Sequence, residues 1–233
     1  IQLIWKVMRT IKLLLAIFKR EFLLNFRNFY DIITVIIFFT LGILIFIFAI
    51  GPEQKIYSQI SIGIIWTLLL LSANLSIKNF YQDDFNDGSI ILFFISGVSF
   101  EFIVITKLIT IWFFFQFPFL IIIPIICLML EVEQSKILLL LLTFTIGSLI
   151  LSSLSSIAGS MNLRNDKNKL IGSIIAMLLS IPLIIFSVSI VKSSPELIVP
   201  QLNILLGILM LFLAITPWFS AYCIRLALKN DNA

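Results

Sequence analysis

Between Asp31 and Gly51 the chain reads IITVIIFFTLGILIFIFAI, without a single charge. Wound as a helix this run is roughly 28 Å long, about the thickness of a bilayer's hydrocarbon core. A soluble fold of this size would need a polar surface, and with 61% hydrophobic and only 12% charged residues the chain has too few polar groups to make one. Barrel strands are excluded too, because they would alternate polar and apolar residues. Five further runs of the same kind follow, at Ile60 to Ile77, Leu108 to Leu130, Ile137 to Met161, Leu170 to Val191 and Leu202 to Ile224. The expected fold is therefore all-α, one polytopic membrane domain over residues 1–233 with about six spans.

The basic residues orient those spans. The connections GPEQKIYS, EVEQSK and KSSPELIVPQ hold only Lys55, Lys136 and Lys192, whereas every other Lys and Arg falls on the alternate side. Positive charge is retained on the cytoplasmic or matrix face, so both ends of the chain belong there. The formal charge of +4 is a topology signal rather than a nucleic-acid footprint. No cleavable leader pattern is evident, and the first span is expected to act as its own insertion signal. The abundance of Ile and Phe suggests an AT-rich organellar or reduced bacterial genome. Cys127 and Cys223 lie in separate apolar spans and read as small core residues.

Ahead of the first span, residues 1–31 form an amphipathic segment. Lys12, Lys19, Arg20 and Arg27 come round to one side of a helix, with Leu14, Ile17, Phe18, Phe22 and Phe26 over much of the rest. Two readings fit: a helix lying among lipid head groups, or one docked on a partner. In the fourth span Ser148, Ser152, Ser156 and Ser160 recur every four residues beside Gly159. This ridge reads as a helix-packing seam, with a polar substrate path as the alternative. Pro118, Pro124 and Pro182 are expected to bend or open their spans.

Histidine is absent. That removes His-based acid–base catalysis, His–metal sites and His ligation of haem by this chain. No phosphate loop, G-x-S-x-G elbow or Cys/His pair is present, so the chain is not expected to be an enzyme. Ionisable residues are nearly absent within the spans as bounded above, which disfavours proton coupling and leaves the energy to come from another subunit.

The stretch FYQDDFNDGS interrupts this pattern by gathering Asp83, Asp84 and Asp87 before Gly88 and Ser89, within a segment, 78–101, on the positive-inside face. Ile90 to Ile95 follow, apolar but too short to span. One reading is a short amphipathic helix held by another protein; the other is an acidic loop that stays in water and pairs with Lys78 or Lys107.

Taken in order, AIGPEQKIYSQISIGIIWTLLLLSANLSI, YQDDFNDGSI and TPWFSAYCIRLAL resemble the haem exporter protein B (CcmB) family, over nearly the whole chain. The matching positions are Gly51, Pro52 and Glu53 after the first span, Gly63 and Trp66 in the second, Asp83, Asp84, Asp87, Gly88 and Ser89 between the second and third, and Pro217 and Arg225 in the last. The resemblance implies an ABC-2-like permease subunit of the cytochrome c maturation system, with the acidic segment as a coupling helix docking on a separate ABC ATPase. It further implies a CcmC-like haem-handling membrane protein, a CcmD-like small subunit and a CcmE-like haem chaperone. Haem is then a handled substrate, ATP enters through the partner, and two permease copies match two ATPase subunits. The implied location is the mitochondrial inner membrane, or alternatively the bacterial one. After the fourth span LRNDKNK replaces a Gly-rich basic connection, and the chain is poorer in Leu and Ala than the family. The same fold would also serve an exporter of another amphipathic substrate or a non-transporting scaffold for haem-handling proteins.

Overall fold

The computed structural model describes residues 2–51, 54–163 and 171–231. Pro52, Glu53 and most of the LRNDKNK connection lie outside the described residues. Within them the chain is all helix, with no β-strand.

Helix α1 (Gln2–Arg27) turns at Asn28 into α2 (Phe29–Ile50), the first span. α2 stops at Gly51, whose φ of +72° lies in the left-handed region that a side chain disfavours. Helix α3 (Gln54–Leu75) breaks briefly and resumes as α4 (Lys78–Asn86); a turn at Gly88 then opens α5 (Ser89–Ile95). The third span comprises α6 (Phe100–Ile111), a π-helical turn at Trp112–Gln116, and α7 (Phe117–Met129). Helix α8 (Gln134–Asn162) is the fourth span, α9 (Ile171–Leu179) and α10 (Ile181–Lys192) form the fifth, and α11 (Pro195–Asp231) is the sixth. Among the described residues six helical stretches are long and apolar enough to cross a membrane: 29–50, 59–86, 100–129, 134–162, 171–192 and 195–229.

The expected spans are all present, but two reach further into the positive-inside side. The acidic YQDDFND stretch is not a loop: it continues the second span's helix as α4. The third span begins at Phe100, so Lys107 sits nearly two turns inside it. Hydropathy hides both extensions because they carry charges, while the helix itself is held by tertiary packing.

Of Pro118, Pro124 and Pro182, two mark irregularities. Pro118 lacks the N–H that would bond a preceding carbonyl, and the wide π turn lies immediately before it. Pro182 sits at the start of α10, where the fifth span is broken at Ser180. Pro124 is carried inside α7 without a break.

Helix α8 is the hub, packing against α11, α9, α10 and α4. Ser148, Ser152, Ser156 and Ser160 are all buried along it. Trp112 Nε1 donates to Ser148 Oγ at 2.9 Å, and the Tyr81 hydroxyl shares a 2.7 Å hydrogen bond with Ser156, itself 3.4 Å from Ser220 Oγ. The serine ridge is a packing seam in which hydroxyls satisfy neighbouring helices. At Gly147 a Cβ would stand 2.3 Å from Trp66 Cη2, so the buried indole lies directly on the α8 backbone. Cys127 is buried, Cys223 half-buried, and both are free thiols.

Candidate coupling surface

Helices α4 and α5 make a bent finger on the face that carries most of the Lys and Arg residues. The bend is Gly88, at φ +75°, and Asp87 fixes it by accepting a 2.8 Å hydrogen bond from the Ser89 N–H. Asp87 thereby steadies the first turn of α5 while its side chain stays exposed. On α5 the apolar residues divide. Ile90 and Phe93 are buried, whereas Ile91, Leu92, Phe94 and Ile95 are exposed, Leu92 at 66% and Ile95 at 73%. The short helix thus carries apolar side chains on both its buried and its exposed faces, and is not the amphipathic helix expected.

The three aspartates do not act alike. Asp83 and Asp87 point outward, and Asp84 points in. Its carboxylate joins a closed ring of four charges drawn from three elements. Arg20 Nη2 donates to Asp84 Oδ1 at 2.7 Å and Arg20 Nη1 to Glu21 Oε1 at 2.7 Å. Lys107 Nζ donates to Glu21 Oε2 at 2.9 Å and forms an ion pair with Asp84 Oδ2. The side chains of Lys107, Glu21 and Asp84 are 4%, 3% and 6% exposed. Two cations facing two carboxylates leave no net charge, the condition under which such groups tolerate burial. Burial would by itself lower the Arg20 pKa, but the Asp84 and Glu21 carboxylates outweigh it and raise it.

Arg20 also ties down the finger. Its Nη2 donates to Ser89 Oγ at 3.0 Å and its guanidinium lies 5.2 Å from the centre of the Phe93 ring. The sequence pattern places Arg20 among the basic residues on the polar side of α1, and the structure corrects this. Lys19 and Arg27 are exposed, but Arg20 turns with Glu21 into the α1–α6 contact. The side chain of Lys12 lies outside the described residues. The Lys107–Asp84 pairing is expected only of an acidic loop kept in water, and it forms instead between buried side chains of two helices; Glu21 carries no sequence signal of its own. A cleft of about 270 Å³ opens beside the ring, bordered by Glu21, Asn25, Asp83, Asp84, Asp87 and Lys107.

The remaining predicted positions fall in two places. Arg225, near the end of α11, donates to Glu101 Oε1 at 2.6 Å and stands 5.8 Å from the Phe100 ring centre. It therefore meets the base of the finger, where Ile91, Phe94, Phe100, Arg225, Leu228 and Lys229 line a groove of about 230 Å³. Trp66 is fully buried in the bundle, far along the chain from these groups in its packing against Phe144 and Gly147. Pro217 is carried inside α11. Gly63 has open space where a Cβ would project, so close packing does not explain it.

Comparison with known proteins decides the family. The family model described as CcmB protein matches residues 12–227. The chain belongs to the CcmB family. Heme exporter protein B of Haemophilus influenzae is 31% identical over 219 residues, 93% of this chain and 99% of that protein. The Pseudomonas aeruginosa protein of the same name is 27% identical over 75% of this chain and 78% of its own length, and that of Rhodobacter capsulatus 26% identical over 82% and 89%. With six long apolar helices and no sheet among the described residues, this CcmB family member is a permease-like membrane protein of the ABC-2 type.

Proposed function

We propose that this chain is the permease subunit of an ABC transporter complex in c-type cytochrome biogenesis, coupling ATP hydrolysis by a separate subunit to rearrangement of the membrane helices. The output is haem export or release of a haem-loaded chaperone. The observation that carries the reading is the α4–α5 finger. It stands on the side where positive charge is retained, and it presents the Asp83 and Asp87 carboxylates next to the exposed Ile91, Leu92, Phe94 and Ile95. A mixed acidic and apolar knob is a protein-binding surface, and a chain without a phosphate loop needs a partner there to reach ATP. The relatives' shared name, heme exporter protein B, supports haem as what is handled. The other partners are then a CcmC-like haem-handling protein, a CcmD-like small subunit and a CcmE-like chaperone, in a mitochondrial or bacterial inner membrane. Two copies of the permease serve two ATPase subunits.

The docking role is tested by Asp83→Asn combined with Asp87→Asn. Asparagine at 87 retains the oxygen that accepts the Ser89 N–H, so charge is removed and the bend is kept. The variant is expected to insert normally and to recover at least tenfold less ATPase on co-purification. Recovery at the unsubstituted ratio would sink the docking role. Deletion of the chain tests the pathway: c-type cytochromes should vanish while other envelope functions persist. Normal cytochromes with a defect elsewhere would mean a different exported substrate.

A further inference from the structure

The outward residues of the finger explain how a partner could be held, but not how its movement would reach the spans. Asp84 sits on α4, Arg20 and Glu21 on α1, and Lys107 on the third span, so the charge ring joins three elements that are far apart in sequence. Each carboxylate touches both cations. Moving α4 alone would leave Lys107 and Glu21 buried without full compensation, which opposes any motion that separates the three. Packing alone makes this link thin: α1 packs chiefly along α6 and α4 chiefly along α8, with only a small direct contact between α4 and α6. Arg20 extends the tie to α5 through Ser89 and Phe93. Just beyond Lys107 the third span is interrupted by the π turn at Trp112–Gln116, and Gln116 Oε1 is buried there without a hydrogen-bond partner among the described residues. A wide turn with a spare acceptor is a place where a span can bend and find its missing bond in a second state.

From this geometry we infer that Arg20, Glu21, Asp84 and Lys107 are positioning residues that transmit finger movement to the surface helix and the third span. The ring makes α1, α4–α5 and α6 move as one body, with the bend taken up at Trp112–Gln116. The inference rests on the coupling role proposed above, and it assigns transmission to groups that do not touch the ATPase.

The discriminating variant is Asp84→Asn with Lys107→Met, which removes one charge of each sign and leaves Arg20 paired with Glu21. It is studied as the whole complex, in a host lacking its own copy of the chain, at matched protein levels. Three quantities are read: ATPase recovered per permease, ATP hydrolysed per complex, and covalently haem-stained c-type cytochrome. The first two should stay within twofold of the unsubstituted complex, and cytochrome formed per ATP hydrolysed should fall at least tenfold. Lys107→Arg, which keeps the charge, should restore that ratio to within threefold. A ratio unchanged in the paired variant would overturn the inference. So would loss of the ATPase from it, which would make the ring part of the docking surface. Should the paired variant fail to insert, Glu21→Gln with Lys107→Gln also removes one charge of each sign, keeps Arg20 paired with Asp84 and cuts the ring's tie to the third span. A tenfold fall in the ratio is expected there too, and an unchanged ratio would overturn the inference. If the unsubstituted chain retains no ATPase, the coupling role itself fails; if it does and only the ratio is insensitive, transmission alone fails.

Discussion

Where α1, α4 and α6 meet, the helices are joined by full charges; along α8 they are joined by hydroxyls. Both joints are buried and both cross between helices, yet they respond differently to loss of a member. A serine hydroxyl can turn to its own helix, as Ser148, Ser153 and Ser160 do by donating to carbonyls three or four residues back. Lys107 and Asp84 have no such local refuge, since their partners lie on other elements. Polar seams of hydroxyls therefore permit small adjustments between spans. A closed ring of charges resists adjustment, and it stands behind the finger on which the proposed driving partner would dock.

Breaking the ring should have the largest effect on stability. Lys107→Met leaves Glu21 and Asp84 buried with Arg20 as their sole cation, and removing one partner of a buried ion pair costs about 3–5 kcal/mol. The expected outcome is a strong fall in inserted chain and in the melting temperature of detergent-solubilised protein. The paired Asp84→Asn and Lys107→Met variant should be more stable than Lys107→Met alone, since it restores the charge balance. If the single variant melts like the unsubstituted protein, the ring is not the stiff joint that the comparison requires.

Next in size is steric pressure on the hydroxyl seam. At Gly147 an alanine Cβ would lie 2.3 Å from Trp66 Cη2 and 3.2 Å from Leu183 Cδ1, so the indole must move. Overpacking of this kind costs about 1–3 kcal/mol. Adding Trp66→Phe, which withdraws the offending end of the indole, should recover part of the loss in a double-mutant cycle of thermal melts. Two losses that simply add would mean that the indole and Gly147 do not constrain one another.

How much of this was legible beforehand depends on whether the signal is local. The six spans follow from uninterrupted apolar runs, and the short helix after Gly88 follows from a run too short to cross the membrane. Gly147 against Trp66 and the ring of charges could not be read the same way, because each depends on which helix faces which. Arg20 is the instructive case. Its spacing from Lys12, Lys19 and Arg27 places it on a basic stripe, but a stripe records direction round one helix and not what stands opposite. Here Asp84 and Ser89 stand opposite, 64 and 69 positions away along the chain. Asp84 was marked by its neighbours and Lys107 by its place at the edge of an apolar run. Glu21 carried no mark in the sequence and emerges only from the packing of α1 against α6.

The smallest expected effect is also the sharpest test of the contrast. Ser156→Ala removes the hydroxyl shared with Tyr81 at 2.7 Å and the longer contact to Ser220. Hydrogen bonds between membrane helices are worth about 0.6 kcal/mol on average, because other partners can be found. Ser156→Ala should therefore lower the melting temperature only slightly, and Tyr81→Phe with Ser156→Ala should do little more than the single change, as both ends of the same bond are removed. Cytochrome formed per ATP hydrolysed should be unchanged in both. A tenfold fall in that ratio with the fold intact would reverse the assignment, since a hydroxyl needed for output and not for stability would belong to a polar path through the bundle. The seam would then carry the transported group, and the difference between charged joint and hydroxyl joint would be one of station along a route rather than of stiffness.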